Sequence, residues 1–440
     1  MRRERQQGWI AARGRPLRGE LTVPGDKSVS HRAIMLASLA DGASRIEGFL
    51  EGEDARATEA IFRQLGVRIE TPAPGVRVVH GVGLDGLQPS TQPLDCGNAG
   101  TAMRLLSGLL AGQGFDSVLV GDASLSQRPM RRVTEPLARM GARIETGADG
   151  RPPLMIHANK DLQAVEFNSK IASAQVKSAL LLAGLYANGE TVVREPQPTR
   201  DYSERMLAAF GWPVVFSPGI ARLSGGHRLR ATDVSVPADF SSAAFFLVAA
   251  SLVPGSELCL RRVGMNPRRT GLLRVLRAMG ADIVEAHADE QGGEPVADLR
   301  VRHAPLRGIA VPREHVADMI DEFPVLFVAA ACAEGVTTVS GASELRVKES
   351  DRIATVAGGL RTLGVRVDET PDGAVIHGGR LRGGAVGSHG DHRVAMAFAV
   401  AAQCAADAVT IGDVANVATS FPGFDTLARS AGFGLEAVET

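Results

Sequence analysis

The segment LTVPGDKSVSHRA, from Leu21 to Ala33, has a counterpart half a chain later in VSVPADFSSAAFF, from Val234 to Phe246. In both, a β-rich run leads through a proline into a polar turn and then into a helix. A mid-chain echo of this kind indicates two related halves. The two proline-containing segments are therefore candidate hinges. They predict one lobe from residue 25 to 236 and another formed by residues 1–24 with 237–440.

Two further patterns recur within these halves. A helical stretch, a glycine and a short alternating strand occur together six times, as LGVRIE, MGARIE, FGWPVV, MGADIV, LGVRVD and AGFGLE. Between them lie helices rich in Ala and Leu, such as AIMLASLA, each followed by a β-rich run. Because these helices are apolar on nearly all sides, we expect them to be buried with sheets packed outside. The sequence therefore predicts an α/β fold of six units of roughly 70 residues, three in each lobe. A solenoid scaffold without chemistry is the alternative, but solenoid repeats are usually shorter.

Composition restricts the class of protein. The 440 residues suffice for two or three domains, and 45% hydrophobic with 22% charged residues is typical of a soluble globular protein. A net charge of -1 gives no overall field that would attract nucleic acid or a membrane, so we expect small-molecule partners. The sequence contains no long apolar run or secretory signal, which predicts the cytoplasm. The four cysteines are scattered without metal-ligand spacing and are expected to be reduced thiols.

GDKSVSHR, at residues 25–32, places polar groups where a helix begins. Asp26 or a serine can cap this helix, and its free amide groups would point at a ligand beside Lys27. Ser28 and Arg32 lie four residues apart and therefore on one helix face. The segment predicts an anion site or, equally, a capped surface helix. It is not a Walker loop, because GxxxxGK[ST] is absent.

Two later segments of the first half repeat this design. CGNAGTAMR has a glycine-flanked turn at Gly100, where backbone can approach a ligand closely, and Thr101 is a candidate cap. SQRPMRRV holds Arg128 extended before Pro129, at the start of a helix. An arginine in that position suits a carboxylate or phosphate, although a solvated basic run would have the same sequence.

ASAQVKSALLLAG and ADMIDEFPVLFVAA also carry polar residues at the start of apolar helices. Ser173 and Gln175 are candidate donors, and Lys177 is expected on the solvated flank. In the second segment, Asp321 and Glu322 precede a proline, and a carboxylate there is either a cap or a base.

RVKESDRIA and HGDHRVAMAFAVAA bring cations to two further helix starts in the second half. On a continuous helix, Lys348 and Arg352 would share a face, with Glu349 beside Arg352. An amphipathic surface helix would carry the same charges. Asp391 and Arg393 open the second segment. Charged helix starts therefore occur in both halves of the chain.

Taken in this order, the segments resemble the enolpyruvyl transferase family, specifically its 5-enolpyruvylshikimate-3-phosphate synthases. The resemblance covers nearly the whole chain, through GDKSVSHR, GNAGTAMR, RPM, SAQVK, PTRDYSERML, MIDEFP, RVKESDR, GDHRVAMA and TSFPGF. It implies a two-lobed, inside-out α/β barrel of six βαβαββ repeats whose lobes close on substrate. It also implies transfer of the enolpyruvyl (carboxyvinyl) group of phosphoenolpyruvate to the 5-hydroxyl of shikimate 3-phosphate. That reaction releases phosphate through a tetrahedral intermediate, needs no metal or organic cofactor, and serves aromatic amino acid biosynthesis.

The same resemblance assigns site residues. The implied phosphoenolpyruvate ligands are Lys27, Gly100, Arg128, Gln175, Arg352 and Arg393. The implied shikimate 3-phosphate ligands are Lys27, Ser28, Arg32, Ser173, Ala174, Gln175, Asp321 and Lys348. Two phosphates and two carboxylates would repel each other, so several cations are needed to offset the repulsion. Asp321 is the implied base for the 5-hydroxyl, and Glu349 or Lys27 the implied acid for the vinyl carbon.

Some positions depart from the family pattern. Ala174 resembles the class II branch, which often has RDHTE where this chain has RDYSE with Tyr202. Thr419 stands where the other branch carries a lysine, so one phosphate contact must come from elsewhere. Gly100 leaves room beside the phosphoenolpyruvate site, which implies inhibition by glyphosate. The resemblance also implies a monomer.

Two related enzymes are rivals to this interpretation. The enolpyruvyl transferase that acts on UDP-N-acetylglucosamine has Asn after its first lysine and a reactive Cys in a mobile loop, whereas Ser28 follows Lys27 here. An RNA-terminal phosphate cyclase would need a nucleotide-reactive histidine and a more basic surface.

Overall fold

The chain forms two compact units in the computed structural model, which describes residues 7–291 and 293–439. The first unit is Gly25–Pro237 with the described residues of Glu290–Glu294. The second unit consists of the described residues up to Pro24, Ala238–Asp289 and the described residues from Pro295 onward. Both units alternate helices with strands, so the fold is α/β.

The strands and helices are numbered along the chain. The described strands are β1 (Gln7–Ala12), β2 (Arg18–Leu21), β3 (Ala40–Glu47), β4 (Arg68–Ala73), β5 (Val76–Val82), β6 (Leu94–Asp95), β7 (Ser117–Val120), β8 (Ile144–Thr146), β9 (Leu154–Ile156), β10 (Glu166–Asn168), β11 (Glu190–Arg194), β12 (Val214–Ser217), β13 (Ile220–Ser224), β14 (Leu229–Arg230), β15 (Val234–Ser235), β16 (Glu257–Gly264), β17 (Asp282–Gln291), β18 (Glu294–Arg302), β19 (Val336–Val339), β20 (Val367–Thr370), β21 (Gly373–His377), β22 (Gly384–Gly387), β23 (Val409–Gly412) and β24 (Gly434–Glu439). The described α-helices are α1 (Lys27–Leu39), α2 (Glu53–Gln64), α3 (Gly100–Leu110), α4 (Arg131–Arg139), α5 (Ala174–Gly184), α6 (Tyr202–Ala209), α7 (Phe240–Leu252), α8 (Gly271–Ala278), α9 (Phe323–Cys332), α10 (Arg352–Thr362), α11 (His392–Ala402) and α12 (Phe424–Ala431). Short 3₁₀ helices cover Leu125–Gln127, Ala148–Gly150, Arg313–His315, Ala317–Met319, Ser343–Val347 and Ala415–Thr419.

The first unit contains three mixed sheets in its described part. Their strand orders are β14-β3-β5-β4 with β15 also on β3, then β6-β7-β9-β8, and β10-β11-β13-β12. In the first sheet, β3 is antiparallel to β5, with Asp41 opposite Val82 and Glu47 opposite Val76. The other two sheets each begin with a parallel pair, β6 with β7 and β10 with β11.

The described part of the second unit also contains three sheets. Their orders are β22-β23-β1-β24, β17-β18-β16-β2 and β19-β21-β20. The two amino-terminal strands belong here: β1 lies between β23 and β24 and is antiparallel to both, while β2 is parallel to β16. β1 and β2 therefore belong to the second unit although they precede the first unit in sequence.

Six helices, α1, α3 and α5 in the first unit and α7, α9 and α11 in the second, are buried over almost their whole length. Every residue of α11 is buried, and α7 is buried from its first residue to Ser251. These are the Ala- and Leu-rich helices, so their predicted burial is confirmed. Each unit has its own hydrophobic core built around three of them.

Glycine ends the other six helices. The residues concerned follow α2, α4, α6, α8, α10 and α12, and their φ angles lie between 80° and 125°. A residue without Cβ adopts this left-handed conformation at little steric cost, which lets the helix stop and the next strand start within a few residues. The six are Gly66, Gly141, Gly211, Gly280, Gly364 and Gly432.

The echo between the halves corresponds to two equivalent helix starts. The Asp26 carboxylate accepts a hydrogen bond from the Val29 amide at 2.9 Å and caps α1. The Asp239 carboxylate accepts from the Ser242 amide at 3.0 Å and caps α7. Of the caps considered for α1, the aspartate is the one used.

The four cysteines are free thiols, as predicted from their spacing. Cys96 and Cys259 are buried, and Cys332 and Cys404 are partly buried. None of the helices in the described ranges combines the length and hydropathy of a membrane span.

Adjacent glycines in α10 provide a test of packing in the second core. A Cβ added at Gly359 would lie 2.1 Å from Cζ of Phe398 on α11, whereas one added at Gly358 would meet nothing within 4 Å. We expect Gly359→Ala to lower the free energy of unfolding by about 1–3 kcal/mol through overpacking. Gly358→Ala should raise it by up to about 1 kcal/mol through helix propensity. Equal shifts of the thermal unfolding midpoint for both variants would contradict this packing.

Candidate functional site

The buried helices of each unit begin close together. In the first unit, Gln175 at the start of α5 donates from Nε2 to Oγ1 of Thr101 at the start of α3, at 3.0 Å. Arg32 in the second turn of α1 donates from Nη2 to Oγ of Ser178 in the second turn of α5, at 2.9 Å. The first turns of α1, α3 and α5 therefore lie at one end of the unit, where their amide groups favour negative charge.

Lys27 is the first residue of α1 and keeps a partly exposed ammonium group. Its Nζ lies 2.8 Å from Oδ2 of the buried Asp54, at the start of α2. The capping residue Asp26 accepts from the hydroxyl of Tyr202 at 3.1 Å. The turn that presents Lys27 is thus fixed by two carboxylates of the same unit.

Arg32 is buried, and it donates hydrogen bonds to several neutral oxygens. Its Nε donates to Oγ of Ser203 at 2.7 Å, and its Nη1 to the carbonyl of Ser28 at 3.0 Å. Arg32 therefore reaches the backbone of Ser28 one turn earlier, while the shared face of the Ser28 hydroxyl and this guanidinium stays a prediction. Burial lowers the pKa of Arg32 to about 10, although Glu204 and Asp26 act in the opposite direction. A cation held largely by hydroxyl and carbonyl groups is suited to an anionic ligand.

Gly100, the first residue of α3, lies beside two buried arginines. A Cβ added there would be 3.0 Å from Nη1 of Arg104 and 3.0 Å from Nη1 of Arg128. Arg128 is extended before Pro129, as predicted, and donates to Oδ1 of Asn98 at 2.8 Å. The glycine therefore allows two guanidinium groups to approach the helix start together.

The start of α5 contains the next three predicted residues. Ser173 caps the helix by accepting from the Val176 amide at 3.4 Å, and Ala174 is its first residue. Gln175 accepts from Nη1 of Arg104 at 2.9 Å. The prediction that Thr101 caps α3 is wrong, because that helix begins at Gly100 without a side-chain cap.

Lys177 is buried, so the prediction of a solvated flank is wrong. Its Nζ lies 2.8 Å from both Oε2 of Glu195 and Oε1 of Glu204. Burial alone would lower the pKa of Lys177, but the two carboxylates raise it above its ordinary value. The prediction failed because helix periodicity within α5 does not show which element packs against Lys177. Glu204 comes from α6, which covers Lys177 in the folded unit.

In the second unit, Asp321 lies in the turn before α9 among three cations. Its Oδ1 is 3.4 Å from Nζ of Lys348 and 3.3 Å from Nη1 of Arg352. Its Oδ2 is 3.3 Å from Nη1 of Arg269. The structure therefore brings together the predicted base and two of the predicted ligands.

Arg352 is buried at the start of α10 and bridges three carboxylates. Its Nε is 2.8 Å from Oδ2 of Asp391, and its Nη2 is 2.7 Å from Oε2 of Glu349. Its third partner is Asp321. Burial would lower the pKa of Arg352, but Asp391, Glu349 and Asp321 together raise it above its ordinary value.

The helical arrangement predicted for RVKESDRIA is wrong. α10 begins only at Arg352 and is capped by Asp351, whose Oδ1 accepts from the Ala354 amide at 3.0 Å. Lys348 and Glu349 lie in the bend between a 3₁₀ helix and α10. From this bend, Lys348 still meets Asp321 in the turn before α9, and Glu349 still meets Arg352 at the start of α10.

Arg393 is buried in the first turn of α11, and its Nη1 is 3.9 Å from Oε1 of Glu322. Asp391 caps α11 by accepting from the Arg393 amide at 3.0 Å. Glu322 occupies the N-cap position of α9 but makes no side-chain cap. Capping, one of the two roles considered for the acids before α9, therefore does not apply to Glu322.

Sequence reasoning missed two charged residues next to the predicted site. Asp54, the partner of Lys27, gave no signal beyond its place at a helix start. Arg269, the partner of Asp321, lies in NPRRTG just before α8, which repeats the arginine-at-helix-start pattern of QRPMRR. Within residues 7–291 and 293–439, no three His, Cys, Asp or Glu side chains form a group that could hold a metal ion.

Comparison with known proteins gives one consistent family. A family model described as EPSP synthase (3-phosphoshikimate 1-carboxyvinyltransferase) matches residues 11–427. A 3-phosphoshikimate 1-carboxyvinyltransferase from Xanthomonas campestris pv. campestris (strain B100) is 71% identical over 431 residues, 98% of each chain. The solved EPSP synthase of Acinetobacter baumannii is 49% identical, covers 98% of this chain and 100% of its own, and has a TM-score of 0.89. The enolpyruvyl transferase NikO of Streptomyces tendae, 17% identical with a TM-score of 0.79 and coverage of 99% and 100%, shares the fold.

His31, buried in α1 beside the cationic helix start, should make stability depend on pH. Its Nδ1 is 2.7 Å from Oγ1 of Thr58, and within the described structure its buried Nε2 has no hydrogen-bond partner. Burial, with Lys27 and Arg32 nearby, lowers the pKa of His31 to about 3. The unfolded chain therefore binds a proton near pH 6.5 that the folded chain excludes.

Because of this difference in proton binding, the folded state has its full stability above pH 6.5. It loses stability as the pH falls toward 3, since protonation of His31 then favours the unfolded chain. In that window, His31 should make the free energy of unfolding of the wild type fall by up to about 1.4 kcal/mol per pH unit. We expect His31→Asn to lack this part of the pH dependence, because asparagine can keep the bond to Thr58 but does not titrate. Denaturant unfolding at pH 7, 6 and 5 measures the two slopes. Identical slopes for wild type and variant would show that His31 is not the linked group.

Proposed function

Because this chain belongs to the EPSP synthase family, we propose that the charged helix starts of its two units act on one pair of substrates. The activity is transfer of the enolpyruvyl group of phosphoenolpyruvate to shikimate 3-phosphate, a step of the shikimate pathway. One observation carries the assignment of residues: buried arginines lie at or near helix starts in both units, at α1, α3 and α4 in the first and at α8, α10 and α11 in the second. Substrates that bear two phosphates and two carboxylates require such cations.

The first unit supplies the larger share of ligands in this proposal. Its phosphoenolpyruvate ligands are Lys27, the backbone at Gly100, Arg128 and Gln175. Its shikimate 3-phosphate ligands are Lys27, Ser28, Arg32, Ser173, Ala174 and Gln175. The hydroxyl and carbonyl partners of Arg32 support this assignment, because such neutral groups yield more readily to a phosphate than a carboxylate does.

The second unit supplies Arg352 and Arg393 for phosphoenolpyruvate, with Asp321 and Lys348 for shikimate 3-phosphate. These cations already have carboxylate neighbours. A guanidinium has five N–H donors, so Arg352 can keep its internal partners while it binds a substrate oxygen. The internal carboxylates use four of these donors and fix the direction of the side chain, and the substrate would use the remaining N–H of Nη1.

Asp321 is the proposed base. The charge of its carboxylate is stabilised by Lys348, Arg352 and Arg269, which keeps it available to accept the proton of the 5-hydroxyl. The freed oxygen then attacks C2 of phosphoenolpyruvate while the CH2 carbon gains a proton and becomes a methyl group. Loss of a methyl proton and cleavage of the C–O bond to phosphate then regenerate the double bond.

Lys27 and Glu349 are the proposed proton donors to the CH2 carbon, and their surroundings differ. Oε2 of Glu349 accepts from Arg352 at 2.7 Å, which stabilises the charged carboxylate and opposes a role as acid. Lys27 carries its proton as an ammonium held by Asp54. The contrast favours Lys27 as the donor, with Glu349 holding Arg352 in place.

The family also suggests an architecture, an oligomeric state and a cellular location for this chain. We infer an inside-out barrel of six βαβαββ repeats, with lobes 25–236 and 1–24 plus 237–440, and a class II-like member of the family that acts as a cytoplasmic monomer. The burial of alternate helices and the three described sheets in each unit support the repeats. The reaction as written needs no redox step and no external electrophile, so we propose that it proceeds without a cofactor.

Phosphate release from the two substrates tests the assignment of Lys27 and Asp321. We expect Lys27→Ala to reduce kcat by at least about 100-fold, because a ligand of both substrates and a proton donor is lost. Asp321→Asn should reduce kcat by about 100-fold or more with smaller changes in KM, because the amide keeps the shape but cannot accept the proton. Enzyme-coupled detection of phosphate provides the measurement.

Lys160→Ala is the matched control for Lys27, since Lys160 pairs with Asp85 at the surface. It should leave kcat and both KM values unchanged. Wild-type rates in Asp321→Asn would rule out Asp321 as the base while leaving the family activity intact. An inactive wild type would instead overturn the function as a whole.

Glyphosate should compete with phosphoenolpyruvate, because its phosphonate and carboxylate would bind the same cations. The Cβ of Gly100→Ala would press on Arg104 and Arg128, so we expect this variant to resist glyphosate and to have a higher KM for phosphoenolpyruvate. Inhibition is measured at subsaturating phosphoenolpyruvate. A wild-type rate unchanged by millimolar glyphosate would refute this part of the proposal.

A further inference from the structure

We propose that Arg269 is a positioning residue that orients Asp321 for proton transfer, an inference that rests on the proposed role of Asp321 as base. Arg269 lies two residues before α8, in the segment NPRRTG, and its side chain is 4% exposed. It is therefore withdrawn from solvent while one of its donors reaches the base.

The two oxygens of Asp321 have different partners. Oδ1 is close to Lys348 and Arg352, the proposed ligands of shikimate 3-phosphate and phosphoenolpyruvate. Oδ2 lies 3.3 Å from Nη1 of Arg269. The contact with Arg269 therefore fixes the orientation of the carboxylate, with Oδ1 on the side of the proposed substrate ligands.

Arg269 is itself fixed by groups on two further helix starts. Its Nη1 is 3.2 Å from Oε1 of Glu322, which precedes α9, and its Nη2 is 3.6 Å from Oδ1 of Asp239, the cap of α7. Ser241 in the first turn of α7 accepts from Nη2 of Arg269 and donates to Oε1 of Glu322. The guanidinium therefore links α7, the turn before α9 and the base in one network.

Arg269 affects this network through its positive charge as well as through the geometry of its hydrogen bonds. Burial would raise the pKa of Asp239, but Arg269 and Arg393 lower it below its ordinary value. Glu322 is the buried carboxylate that competes with Asp321 for Nη1 of Arg269. Removing Arg269 or Glu322 should thus change the electrostatic environment of Asp321 in opposite directions. The charged groups that face Asp321 include Lys348, Arg352, Arg269, the adjoining Glu322 and, through Arg352, Glu349.

The experiment compares pH profiles of kcat for Arg269→Gln, Arg269→Lys and Glu322→Gln with that of the wild type. For Arg269→Gln we expect kcat to fall about tenfold or more while both KM values change less than about threefold. Its acidic limb should move to higher pH, because loss of a cation makes the Asp321 carboxylate easier to protonate. Arg269→Lys keeps the charge without the fork, so kcat should fall with little shift of the limb.

Glu322→Gln keeps the side-chain volume and should move the acidic limb to lower pH, since one carboxylate next to Arg269 and Asp321 is neutralised. This variant decides the question if Arg269→Gln does not fold, as judged by thermal unfolding. The matched control is Arg268→Gln, whose arginine lies 3.5 Å from Asp318 and is 29% exposed. It should leave kcat and the pH profile unchanged.

Three results would overturn the positioning role: a folded Arg269→Gln with the wild-type acidic limb, an equal loss of kcat in Arg268→Gln, or an unshifted limb in Glu322→Gln. The role of Asp321 is tested separately by Asp321→Asn. If that variant is inactive while Arg269→Gln matches the wild type, only the positioning proposal fails. If Asp321→Asn is active, the proposed base fails first.

Discussion

The six buried helices impose the constraint on which the site depends. An α-helix leaves four backbone N–H groups without partners at its start, and a helix surrounded by apolar residues cannot leave them to water. In this protein, polar and charged residues are concentrated at those starts, while the helix bodies consist of Ala, Leu, Val and Phe. The same residues that satisfy the helix starts therefore form a buried polar region in each unit.

The two units meet this constraint with different charge balances. In the first unit, Arg32 donates to hydroxyl and carbonyl oxygens, and Lys27 pairs with one carboxylate. In the second, Arg352 bridges three carboxylates, and Asp321 touches three cations. A buried charge that loses its partner costs about 3–5 kcal/mol, so the second network is rigid in its own right. Under the proposed assignment, the first unit would receive most of the added negative charge, and the second would hold the base.

The sequence predicted contacts between residues of the same helix or turn. It did not predict the contacts of residues that lie in bends or are covered by other elements. The capping of α1 by Asp26, the extended Arg128 and the contact of Ser28 with Arg32 follow from local rules. The helix predicted through Lys348 and Glu349 begins only at Arg352, because Asp351 supplies the cap and ends the bend.

The sequence by itself determined the alternation of buried and glycine-terminated helices, the α/β class and the helix starts that carry charge. These features depend on short-range periodicity, on glycine at positive φ and on capping chemistry, which neighbouring residues encode. Only the tertiary structure decided that Lys177 is buried between Glu195 and Glu204, that Asp54 pairs with Lys27, and that Arg269 reaches Asp321. In each of these pairs the partners lie on different elements of the chain, so their meeting depends on how the helices pack and not on any local pattern.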